Sequence, residues 1–146
     1  MPMTTSRGGV RRDELPSTVR RSPEKAQVTF AKAHDAAVEE YGEGRRSYQT
    51  AYAALKHAFE KVGDHWEPKA VTGPSDEQAA KGGARSAKRY PTAEGVDANA
   101  SKRHLLQIAR RLDIAGRSTM TKDELIGAIQ KENRRVTARS RTRPSR

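Results

Sequence analysis

Residues 113–126 read DIAGRSTMTKDELI. The last six contain Thr-Lys-Asp-Glu followed by two apolar residues, a capping box. In it the Thr121 hydroxyl accepts from the Glu124 N–H, and the Glu124 carboxylate accepts from the Thr121 N–H. A helix therefore starts at this point. Gly116 breaks the chain before it, and Ile114 and Met120 are the two apolar anchors of the connector. Upstream, Ser101 is a helix cap, and Leu105, Ile108, Ala109 and Leu112 share one helical face. Downstream, Leu125, Ile126 and Ile129 supply the face of the second helix. The pattern predicts helix, extended connector and helix over residues 98–133, a unit with little apolar surface of its own.

A second helical unit is predicted over residues 14–66. Leu15-Pro16-Ser17 opens a short turn. Ser22-Pro23-Glu24 reads as a helix start with Ser22 as the cap. Phe30, Ala33, Ala37, Val38 and Tyr41 recur at helical spacing, and Gly42 and Gly44 stop that run. Tyr48, Tyr52, Leu55, Phe59 and Val62 step by four, three, four and three, predicting a helix from about Ser47 to Gly63. Trp66 is then expected to fold back as a lid. Residues 1–13 and the linker 67–97 lack apolar periodicity and are expected to be disordered and flexible. The Arg-rich tail 134–146 is expected to be disordered when free. The fold class is thus all-α: a helical hairpin, a flexible linker, a helix-extended-helix unit and a basic tail.

Composition points to a polyanionic partner. The chain has 146 residues and a formal net charge of +11, with mean hydropathy −0.95 and pI about 10.3. Residues 98–133 hold seven cations and four anions, and residues 134–146 hold six arginines and no anion. Such an excess favours nucleic acid first and an anionic membrane surface second. There is no cysteine, so disulfides and thiolate metal sites are excluded. The opening MPMTTSRGGVRR lacks the apolar core of a signal peptide, and no apolar run reaches the ~18 residues of a spanning helix. A cytoplasmic protein is expected, compatible with association to the nucleoid.

Two stretches resemble known families. ELPSTVRRSPEKAQVTFAKAHDAAVEEY with AYAALKHAFEKVGDHWEPK, within residues 14–66 and the start of the linker, resembles the ChaB family. These are small helical proteins named as cation transport regulators, some viral relatives being associated with DNA. LLQIARRLDI, the GRS turn and TKDELIGAI, within 98–133, resemble the N-terminal helical domain of Rho termination factor and the SAP motif. That resemblance implies nucleic-acid binding. In Rho the RNA is gripped mainly by a following barrel, which this chain is not expected to supply, so DNA is favoured over RNA. The arrangement of both units is similar to bacterial proteins.

Residue chemistry at the C-terminal unit points the same way. Lys102 and Arg103 fall in the first turn of their helix, beside its free N–H groups. Arg110 and Arg111 extend the basic surface. Gly116 permits close backbone approach, and Arg117 and Ser118 lie in the connector. Thr119, Thr121 and Lys122 stand at the start of the next helix, where free N–H groups attract phosphate. Arg134, Arg135, Arg139, Arg141 and Arg143 add affinity independent of sequence. Each of these charges, taken singly, is equally well explained as a solvated face.

Other chemistries are weaker. His34, His57, His65 and His104 have no metal-ligand spacing, and Glu39, Glu40 and Glu43 lack a calcium-loop framework. Tyr48, Tyr52 and Trp66 at helical spacing suit core packing better than base stacking. No nucleophile–base set, phosphate-cradling loop or HExxH is present. The expected function is a non-enzymatic, cofactor-free nucleic-acid-binding accessory protein, with an unidentified protein partner for the ChaB-like unit. The alternatives are a regulator of a membrane cation transporter and a chromatin-organising tether.

Overall fold

The computed structural model describes residues 2–7, 9–69, 72–73 and 94–142, without the side chains of 141 and 142. Its regular elements are α1 (Ser17–Arg20), α2 (Glu24–Tyr41), α3 (Arg45–Ala58), β1 (Phe59–Val62), β2 (His65–Pro68), α4 (Lys102–Arg111) and α5 (Lys122–Thr142). Helix dominates, but the β-hairpin means that the fold is not purely α.

The N-terminal half is built around the helical hairpin α2–α3. Gly42, at φ 78°, takes a conformation that residues with a Cβ avoid, and its N–H caps Val38 O, ending α2. Ring contacts show the two helices running antiparallel. Phe30 meets Tyr52 at 4.9 Å, and His34, one turn further along α2, meets Tyr48, one turn back on α3, at 4.9 Å. Phe30, Ala31, Ala51, Leu55, Phe59 and Trp66 make the centre of this core.

The hairpin replaces the predicted end of α3. The helix stops at Ala58, and Phe59 and Val62 lie on β1, not on a helical face. Gly63, at φ 69°, and Asp64 form the two-residue turn between Val62 and its partner His65. Trp66 is buried on β2, with its backbone N–H donating to Ser22 Oγ at 2.8 Å. Ser22 therefore does not cap α2, whose capping position is Pro23. Its hydroxyl instead donates to Thr18 O at 2.7 Å and ties the α1–α2 corner to the sheet.

The expected disorder at 1–13 is also corrected for the described residues 2–7 and 9–13. Met3 and Thr4 donate their backbone N–H groups to the two carboxylate oxygens of Asp35, each at 2.9 Å. Arg11 N–H returns to Met3 O at 2.7 Å, and Met3 is buried in the core. The predicted linker 67–97 is ordered at both ends. Glu67 and Pro68 belong to β2, and Gly95 O accepts from Lys61 N at 2.8 Å along β1. Residues 70, 71 and 74–93 lie outside the described residues.

The C-terminal half is not a separate bead. Its core joins Leu105, Ile108 and Ala109 of α4 and Leu125 and Ile129 of α5 to Val62 of the hairpin and Val96 beside it. The apolar faces of α4 and α5 are small for a unit standing alone, and the hairpin supplies the missing side. The tail, expected to be disordered from 134, continues as helix to Thr142. Asn133, Thr137 and Ser140 recur at helical spacing and all face the hairpin. Asn133 holds Gly63 and Lys61, Thr137 Oγ1 donates to Gly63 O at 3.3 Å, and Ser140 Oγ bonds the Asp64 carboxylate.

Candidate nucleic-acid interface

The α4–α5 connector is set by three local devices. Ser101 Oγ accepts from His104 N at 3.1 Å and caps α4. At the other end, Asp113 sits at φ 59°, Asp113 N bonds Arg110 O at 3.1 Å and Ile114 N bonds Ala109 O at 3.0 Å. Those two bonds form a Schellman motif with aspartate where glycine is usual. Gly116, at φ 74°, then turns the chain into a 3-10 turn over Arg117–Thr119, and nothing crowds its open side. The predicted capping box is present: Thr121 N donates to Glu124 Oε1 at 3.0 Å, and Glu124 N to Thr121 Oγ1 at 3.2 Å.

These devices leave an open groove lined by Lys102, Arg103, Leu106, Gln107 and Arg110 of α4 and by Arg117 and Ser118 of the connector. Positions 102, 103, 106, 107 and 110 share the helical face turned away from Leu105, Ile108 and Ala109. Lys102, Arg103, Gln107, Arg110 and Ser118 are exposed. Arg117 Nη1 donates to Ile114 O at 3.0 Å, which holds that guanidinium against the connector. Five of the anticipated residues (Lys102, Arg103, Arg110, Arg117 and Ser118) thus meet on one surface. Leu106 and Gln107 join them. Their spacing places them on that face, but neither carries the charge that marks the others.

The other anticipated residues go elsewhere. Arg111 turns to the hairpin and makes a bidentate pair with Glu67, at 2.7 Å for each bond. That pair holds the Glu67 carboxyl down to about 2, assisted by His65. Thr119 Oγ1 donates to its own turn at Gly116 O, 3.0 Å away. The start of α5 was expected to attract phosphate through Thr121 and Lys122. Its first turn instead carries Asp123 and Glu124, and the Glu124 carboxylate already occupies the Thr121 N–H. Arg134 pairs with Glu94 at 3.4 Å, and Arg135 with Glu132 on its own helix. Arg139 is exposed on α5. The side chain of Arg141, and Arg143 altogether, lie outside the described residues.

A third stripe of α4 carries the contact with the hairpin. His104 and Arg111, seven residues apart, share a face. His104 Nε2 meets Glu60 Oε1 at 3.0 Å and Oε2 at 2.8 Å. The Glu60 side chain is only 4% exposed, and burial pushes its carboxyl up despite His104.

The fold and site define a mostly helical protein in which a basic helix-connector-helix surface is docked on the β-hairpin that follows α3. Residues 15–69 match the ChaB family and residues 101–135 match the Rho termination factor N-terminal domain, so the chain carries both segments in that order. No curated protein and no solved structure matches the chain. Among the described residues no helix is long and apolar enough to cross a membrane.

Proposed function

We propose that the protein is a non-enzymatic nucleic-acid-binding accessory protein that holds a phosphodiester backbone, DNA in preference to RNA, in the α4–connector groove. The observation that carries this reading is the convergence of Lys102, Arg103, Arg110 and Arg117 around one open groove. The match of residues 101–135 to the Rho N-terminal domain supports it. Lys102, Arg103 and Arg110 are charge-bearing arms on a rigid helix, and Ser118 adds a hydroxyl donor. Such contacts position a backbone without reading bases. Binding is then electrostatic and weakens steeply with salt, because it releases counterions condensed on the nucleic acid and that release gains less as salt rises.

Fluorescence anisotropy of the full chain with duplex DNA, single-stranded DNA and RNA across a salt series tests the reading. Combined Lys102→Ala, Arg103→Ala and Arg110→Ala places a strong helix former at exposed helical sites and leaves the fold intact. The expected result is a large loss of affinity and a salt slope reduced by up to about 2.7, about 0.9 for each lost phosphate contact. Unchanged affinity and slope in that variant contradict the reading.

A further inference from the structure

We infer that the hairpin is a built-in competitor for phosphate: the Glu67 carboxylate occupies Arg111 as a backbone phosphate of bound duplex DNA would. This inference rests on the groove reading above.

Arg111 is next to Arg110 on α4, and one helix presents Arg110 to the groove and Arg111 to the hairpin. A duplex lying in the groove spans more than one helical stripe, so Arg111 borders the same ligand. The Glu67–Arg111 geometry is a fork, with Nη1 on Oε1 and Nη2 on Oε2, both at 2.7 Å. A guanidinium offers phosphate the same fork. The two pairs on this stripe differ in accessibility. Glu60, facing His104, is sealed, whereas the Arg111 side chain is 55% exposed and reachable from solvent. An exposed pair contributes little and is readily exchanged for another anion. Docking does not depend on it, because Val62, Asn133, Thr137 and the Glu60–His104 pair all hold the hairpin to α4 and α5. Arg111 can therefore change partners while the two segments stay together. His65 Nε2, 2.8 Å from Glu67 Oε2, keeps the carboxylate in place when Arg111 leaves.

The test is anisotropy with a duplex DNA oligonucleotide on Glu67→Gln, on Glu67→Gln with Arg111→Gln, and on Glu40→Gln. The last removes one exposed charge from α2 and controls for net charge. Glu67→Gln is expected to bind about two- to fivefold more tightly than Glu40→Gln. Its salt slope should be steeper by about 0.9, one additional phosphate. Adding Arg111→Gln should erase both gains. Amide spectra of each variant establish that the hairpin stays docked. Equal binding by Glu67→Gln and Glu40→Gln, or a gain that survives Arg111→Gln, overturns the inference and leaves the groove reading standing. Absence of binding in every protein, the wild type included, overturns both.

Discussion

Asn133 on α5 accepts the Gly63 N–H at 2.7 Å and donates to Lys61 O at 3.1 Å, closing a buried bracket between the tip of the hairpin and the C-terminal helix. One amide thus satisfies a donor and an acceptor of the turn, across 70 residues of sequence. Replacing it with alanine leaves both backbone groups without these partners. Asn133→Ala is expected to cost about 1–3 kcal/mol for each buried group left unsatisfied. Chemical denaturation measures the loss, and hydrogen exchange at the Gly63 amide locates it. Unchanged stability with a protected Gly63 amide contradicts the bracket.

Gly95 is a second point of close approach. A Cβ there would stand 2.7 Å from the Trp66 ring and 2.8 Å from Lys61 Cβ, at φ 93°. Neither a buried indole nor a strand Cβ yields easily. Gly95→Ala is expected to destabilise the protein by about 2 kcal/mol or more through overpacking and strain. Trp66 emission during urea unfolding reports it, since that ring is the obstacle. A midpoint equal to the wild type's contradicts the packing.

Asp113 predicts a change of the opposite sign. It holds the left-handed position of the α4 Schellman motif, where glycine carries no Cβ penalty. Asp113→Gly is expected to stabilise by up to about 1 kcal/mol. A thermal melt of the two proteins decides it, and a lower midpoint for the glycine variant counts against the assigned geometry.

Glu67 adds a small pH dependence to stability, although docking itself rests on the buried contacts. Arg111, opposed by partial burial and helped by His65, lowers its carboxyl from the ordinary 4.5 to about 2. A depressed folded value means that the carboxylate form is the one bound. The contribution is fully present above about 4.5 and disappears as pH falls through about 2. The stability difference between wild type and Glu67→Gln should therefore shrink steadily across that window. A difference independent of pH there contradicts the ion pair. Glu60 runs the other way. Burial raises its carboxyl, so its contribution is present in acid and is lost as pH rises through its raised value.

What was legible followed the apolar periodicity. The faces of α2, α4 and the first half of α5, the Gly42 stop and the capping box at Thr121 all appear where their residues place them. The hairpin was hidden because Phe59 and Val62 continue the three-and-four spacing of Leu55, so the period alone prolongs α3. The usable signal was Gly63-Asp64, a two-residue turn dipeptide. The end of α5 was hidden for another reason: its docking face, Asn133, Thr137 and Ser140, is polar, and apolar periodicity is silent about it. Met3 and Val96 are isolated apolar residues in polar stretches, and only tertiary contacts reveal that each is buried. At the site, the sequence marks Lys102, Arg103, Arg110 and Arg111 alike as basic surface along α4, but cannot tell that Arg110 lines the groove while Arg111 faces a carboxylate brought from the other segment.

The groove is tested most directly by amide chemical-shift mapping of the full chain titrated with a duplex DNA oligonucleotide at low salt. The largest shifts should fall at Lys102, Arg103, Gln107, Arg110 and across Gly116 to Ser118, and should fade as salt is raised. Unmoved amides at those positions, or shifts confined to α2 and α3, would contradict the account.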